Sequence, residues 1–175
     1  MSKKNILFVC VENSNRSQMA QAFATIHGGN RVEAYSAGSR PSGKINPKAI
    51  AAMKESGYDL TNHQSKSLDE IPKVEYEYAI TMGCGDECPF VNALHREDWN
   101  IPDPREMDEA QFREVKNLIE QKVKALLGHQ VGDAVGRHIH AVHLPIGGGD
   151  DALGQVMADE TIDAEDEDFF HDGNA

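Results

Sequence analysis

The residues before Cys10 carry the feature that most restricts what this chain can fold into. Lys4–Val9 contains the apolar run Ile6-Leu7-Phe8-Val9, with no alternation of polar and apolar residues, so the strand it predicts must be covered on both faces. Such a strand belongs inside a parallel sheet, and parallel neighbours need long crossover connections, usually helices. The next residues supply one. Cys10 ends the run, the mostly polar stretch Val11–Arg16 comes next, and a helix is predicted from Ser17 to about His27, with Met19, Ala20, Phe23 and Ala24 on one face and Gly28-Gly29 as its stop.

The rhythm then repeats. Val32–Ala37 predicts a second strand closed by Gly38, and Asn46 caps a helix that opens with Pro47 and runs to about Ser56, before Gly57. Glu77–Met82 predicts a third strand, after which GCGDECP breaks into a loop, and a short fourth strand is expected around Asp98-Trp99. An amphipathic helix from about Glu109 to Leu127 carries Phe112, Val115, Leu118, Ile119, Val123 and Leu126-Leu127 at helical spacing, with Gly128 ending it. Residues 1–128 are therefore read as one α/β domain. Residues 129–175, rich in Gly and Asp and without periodic apolar pattern, are read as a solvated or poorly ordered extension.

Of the net charge of -12, -10 sits in that extension. From His129 onward there are eleven acidic residues against the single Arg137, which leaves eighteen acidic and sixteen basic residues for positions 1–128. Neither part has the basic stripe of a nucleic-acid binder, so no nucleic-acid partner is expected. No run approaches the roughly 18 apolar residues of a membrane span, and MSKKN leads into no signal-peptide core, so a cytoplasmic, membrane-free protein is expected. Three cysteines without an export signal point to chemistry or metal binding instead of a disulfide framework.

Ligands of open α/β sheets bind beyond the carboxyl ends of the strands, which is where Cys10 stands. The backbone amides of Val11, Glu12, Asn13, Ser14 and Asn15, with the N-terminus of the adjoining helix, can form a concave nest for an oxyanion. Arg16 adds a planar fork suited to a tetrahedral anion. The same field favours a thiolate, and Ser17 can donate a hydrogen bond to it. Asn13 and Asn15 tolerate the left-handed backbone that such a loop needs without glycine. Cys10 is thus a candidate nucleophile beneath a bound oxyanion. Asp103, held between Pro102 and Pro104, is a candidate general acid for an oxygen leaving group, although spacing alone favours a solvated turn.

C-x5-R-S at the end of the first strand, YSAG at Tyr35–Gly38, NPKAI at Asn46–Ile50, NHQS at Asn62–Ser65 and Asp103-Pro104, in that order, resemble the arsenate reductases built on the low-molecular-weight tyrosine phosphatase fold. The resemblance spans roughly residues 4–127 and implies a four-stranded parallel sheet flanked by helices. It also implies arsenate as substrate, with Cys10 as attacking thiolate, Arg16 as oxyanion clamp, Ser17 as thiolate stabiliser, Asn13 as loop organiser and Asp103 as general acid. Two later cysteines complete the relay in that family, and Cys84 and Cys88 stand at the corresponding loop. Their C-x3-C spacing is shorter than in thioredoxin-coupled members, so the expected reductant is thioredoxin or a glutaredoxin-type protein with a small thiol. Some members bind potassium through acidic ligands; here Gln21 and Ser65-Lys66 stand in the corresponding places, and no metal or other cofactor is expected. A monomer is expected.

Electron count separates this reading from its main rival, a low-molecular-weight phosphatase acting on phosphomonoesters. Reducing As(V) to As(III) takes two electrons, which one thiol pair supplies on becoming a disulfide, whereas hydrolysis needs no such pair. Such phosphatases also carry tyrosines after the Asp-Pro, where this chain has Arg105-Glu106. A zinc site on Cys84 and Cys88 lacks a paired histidine spacing, since His63 and His95 stand alone. His138, His140 and His143 read as solvated surface, and Trp99 as a hydrophobic cover.

Overall fold

A computed structural model of the chain describes residues 3–85 and 90–129. These belong to one unit, Met1–Arg137. The second unit, His138–Ala175, lies outside the described residues, as do Cys88 and nearly all of the acidic extension.

The apolar run forms β1 (Lys4–Cys10), and Ile6, Leu7, Phe8 and Val9 are all fully buried. Alternation along the strand sends Ile6 and Phe8 into a core with Met19, Phe23, Tyr78, Ile80, Phe112 and Ile119, while Leu7 and Val9 pack with Ala37, Ile71 and Tyr76. Helix α1 (Arg16–Gly28) comes next, then β2 (Val32–Gly38), α2 (Pro47–Glu55), β3 (Tyr76–Thr81), β4 (Ala93–Asp98) and α3 (Glu109–His129). The strands form one parallel sheet in the order β2-β1-β3-β4. The three helices contribute to the larger core, and Leu68 and Ile71, from the segment between α2 and β3, cover the opposite face. Asn46 caps α2 as its sequence predicts, its side chain accepting from the Lys48 amide at 2.9 Å with Pro47 at the first helical position.

Several boundaries differ from expectation: β3 lies one residue early, at Tyr76–Thr81, and β2 runs on to Gly38. The fourth strand lies upstream of Trp99, at Ala93–Asp98. It is an edge strand whose residues are half-buried or exposed, so backbone pairing to β3 defines it and no apolar pattern marks it. Helix α1 begins at Arg16, one residue early, and α3 continues through Gly128 to His129. Trp99 does act as cover: it is buried, with its ring 5.9 Å from that of Phe8.

From β1 the chain turns to β2 on one side, and β3 lies on the other. The carboxyl ends of β1 and β3 therefore flank the point where strand order reverses, the place where open α/β sheets bind ligands. Cys10 ends one of these strands, and Met82-Gly83-Cys84 continues from the other.

Candidate active site

The loop Cys10–Arg16 is shaped from outside. Ser39, Arg40, Ser42 and Asn46 donate their amides to the carbonyls of Cys10 (3.1 Å), Val11 (2.8 Å), Glu12 (3.1 Å) and Ser14 (3.1 Å), and Ser65 Oγ donates to Glu12 as well (2.7 Å). In a trans peptide the N–H points opposite to the C=O, so carbonyls drawn outward turn the amides of Val11, Glu12, Asn13 and Asn15 inward. One such amide is engaged: that of Asn13 donates to Cys10 Sγ at 3.2 Å. Asn13 takes a left-handed backbone, φ 49°, as the loop requires. Gly38 is fixed by close approach, since a Cβ there would lie 2.6 Å from the Val11 carbonyl oxygen.

Ser17 Oγ stands 3.0 Å from Cys10 Sγ and accepts from Asn13 Nδ2 at 2.8 Å. A Cys10 thiolate has no hydrogen to give, so in that state the Ser17 hydroxyl is the donor and Sγ receives two hydrogen bonds, an arrangement that stabilises the anion. Helix α1 has no side-chain cap at its N-terminus and no acidic residue in its first turn, so its positive end faces the loop without a compensating carboxylate.

Behind the loop, a buried amide sets Asn13. Gln18 Nε2 donates to Asn13 Oδ1 (2.9 Å), to the Asn13 carbonyl (3.2 Å) and to the Gln64 carbonyl (2.9 Å). Gln18 Oε1 must then accept, so His63 Nδ1 donates to it at 2.8 Å, which leaves His63 Nε2 to accept from the Tyr58 hydroxyl at 3.0 Å. Burial, then the Lys66 charge, hold His63 below its usual pKa despite Asp59, in keeping with a neutral ring. Gln18 carries no local signal in the chain: a fully buried polar side chain in the first turn of α1 is recognised by its partners alone.

Arg16 is buried, and its Nη1 donates to the carbonyls of Met82 (2.7 Å) and Ile101 (2.8 Å), so one end of the fork is spent on holding the guanidinium still. Its Nη2 lies 3.5 Å from Asp103 Oδ2. Asp103 also accepts from the Arg105 amide (3.2 Å), and the Arg105 guanidinium bridges Asp103 (3.5 Å) and Glu12 (2.9 Å) across the mouth of the loop. Val11, Glu12, Arg40, Asp103 and Arg105 line a cleft of about 370 Å³. The structure thus brings together Cys10, Val11, Glu12, Asn13, Ser14, Asn15, Arg16, Ser17 and Asp103, all expected from sequence. The Arg105–Glu12 pair has no signature in the sequence, because nothing local relates residues so far apart in the chain.

Cys84 is buried just beyond β3 and is disulfide-bonded, whereas Cys10 is a free thiol. Cys88, the third expected member, lies outside the described residues. At the places where the resemblance implies potassium ligands, the side-chain oxygens are engaged within the protein: Gln21 Oε1 accepts from Ser36 Oγ at 2.6 Å, and Ser65 Oγ donates to the Glu12 carbonyl at 2.7 Å. No carboxylate is among them, so they do not fit that ion. Among the described residues no group of three or more His, Cys, Asp or Glu could hold a metal, and no helix is long and apolar enough to cross a membrane.

An anion nest closed by a cysteine, at the switch point of a small parallel sheet, defines a class of cysteine-dependent oxyanion enzymes. Residues 5–138 match the sequence profile of the low molecular weight phosphotyrosine protein phosphatase, and the chain belongs to this family. Similar to it are arsenate reductase 2 of Staphylococcus saprophyticus, 38% identical over 71% of this chain and 96% of that protein, and a glutaredoxin arsenate reductase of Synechocystis, 34% identical over 71% and 96%. Among solved structures, a thioredoxin-dependent arsenate reductase of Corynebacterium glutamicum superposes with a TM-score of 0.59 and 30% identity, covering 72% of this chain and 61% of that one.

Proposed function

We propose that this chain is an arsenate reductase that converts arsenate to arsenite in arsenic detoxification. Arsenate enters the loop, where the inward amides and the edge of Arg16 turned away from the Met82 and Ile101 carbonyls neutralise its oxygens. The Cys10 thiolate attacks arsenic, forming an S–As bond, and an oxygen leaves as water after taking a proton from Asp103. Cys84, as a thiolate, then attacks Cys10 Sγ. An S–S bond forms, the S–As bond breaks, and its electron pair stays on arsenic, which leaves as arsenite. Cys88 next displaces Cys10 from Cys84, which restores the nucleophile and leaves a Cys84–Cys88 disulfide. A dithiol protein reduces that disulfide. We assign thioredoxin first, or a glutaredoxin-type protein with a small thiol, acting in the cytosol where thiols stay reduced.

One observation carries this reading beyond the fold: Cys84 is in a disulfide while Cys10 is free, the distribution that the last intramolecular step leaves behind. Hydrolysis needs no such thiol pair. We assign the chemistry to the unit Met1–Arg137, which includes all of α3, and the residues beyond it to an extension outside the chemistry. Supplying arsenate with thioredoxin and its reductase, beside p-nitrophenyl phosphate alone, tests the reading. Arsenite formation under turnover is expected, with weak hydrolysis of the aryl phosphate persisting because arsenate and phosphate share shape and charge. Hydrolysis without arsenite would make the chain a phosphatase.

A further inference from the structure

The backbone leading to Cys84 is held at four successive points. The Thr81 carbonyl accepts from the Trp99 amide (2.9 Å), the Met82 amide donates to Val9 (3.0 Å), the Met82 carbonyl accepts from Arg16 (2.7 Å), and the Gly83 amide donates to Asp98 Oδ1 (2.8 Å). The same Asp98 oxygen accepts from Thr81 Oγ1 at 2.5 Å. Gly83 has φ 71° and packs so closely on Asn100 that a Cβ would lie 2.9 Å from its Cα. Burial raises the Asp98 pKa, but the bonds from Thr81, Gly83 and Asn100 and the Arg16 charge outweigh it and hold the carboxyl below its usual range. The next residue is Cys84, and Gly85 after it has φ 51° and lies open to solvent.

Nothing in the proposed chemistry uses Asp98, yet it clamps the residue that directly precedes the thiol. We infer that Asp98 is a positioning residue that fixes the pivot at Gly83 from which Cys84 reaches the Cys10–arsenic adduct, an inference that rests on the relay proposed above. The attack needs Cys84 Sγ in line with the Cys10 S–As bond, and a displaced pivot spoils that line without touching the anion loop.

The test uses the full chain, fully reduced, as wild type, Asp98→Ala and Asp98→Asn. Hydrolysis of p-nitrophenyl phosphate reads the anion loop, because it needs no second thiol. Arsenite released in a single turnover, with no external reductant, reads the relay. For Asp98→Ala, hydrolysis is expected to stay within about threefold while arsenite release slows at least about tenfold, since misplacement of about 1 Å can cost a hundredfold. Hydrogen exchange at the Gly83 amide should quicken in the same variant. Asp98→Asn keeps an oxygen acceptor, and should recover most of the rate, which also guards against a variant that merely misfolds. Unchanged arsenite release overturns the role, as does a parallel fall in both activities. Wild-type protein that releases no arsenite while Gly83 exchange still quickens in Asp98→Ala would sink the relay but leave the anchor standing as a purely structural one.

Discussion

β1 and β3 run side by side with Val9 opposite Thr81, yet the segments beyond their carboxyl ends differ in kind. After β1, the carbonyls of Cys10, Val11, Glu12 and Ser14 accept bonds from the 39–46 segment, and the side chains of Asn13, Ser17 and Gln18 are fully buried and bonded to one another. After β3, Asp98 accepts from the Gly83 amide, Gly85 is exposed, and Phe90 is 78% exposed. A site that stabilises charge gains from dipoles fixed in advance, whereas a thiol that serves more than one partner must be able to move. In the relay proposed above, the two strand ends divide those demands between them.

The division is broken most severely by Cys10→Ser, which should lower both arsenite formation and p-nitrophenyl phosphate hydrolysis by at least about a thousandfold, since both pass through that sulfur. Cys84→Ser should separate the regions: arsenite release is lost, while steady-state hydrolysis of the aryl phosphate stays within about threefold. Cys88→Ser should still release one arsenite per chain and then stop, which rapid-quench measurement of arsenite reads directly. Inside the rigid region, Asn13→Ala removes a buried bridge between Gln18 and Ser17 and should cost about 1–3 kcal/mol in urea unfolding, with a rise in KM for arsenate.

The smallest effect concerns the far end of the buried chain. Folding lowers the His63 pKa, so the unfolded state binds the proton more readily, and stability should fall as pH drops through the ordinary histidine range, near 6.5, toward the lower folded value. Above that range the histidine contributes no pH dependence. Thermal unfolding at about pH 8 and about pH 5.5 should show a loss for wild type that His63→Gln lacks.

Much of this contrast could be read from the sequence, because local chemistry writes it. Cys10, Asn13, Arg16 and Ser17 lie within eight residues, and their types match what an anion nest needs at that spacing. β1 declares itself through burial on both faces. β4 does not, because ALHRED at a sheet edge needs backbone pairing and little apolar surface. The clamps stay hidden for a related reason: Asp98 to Gly83, Arg105 to Glu12 and His63 to Gln18 join residues that only the fold brings together, each through a side chain that in sequence looks like any solvated polar residue or strand end.

The most direct measurement is to expose fully reduced protein to arsenate without external reductant, count arsenite, and map the cysteines by alkylation and mass spectrometry. The account predicts one arsenite per chain, Cys84 and Cys88 joined, and Cys10 again open to alkylation. No arsenite, with all three thiols still alkylated, would contradict it.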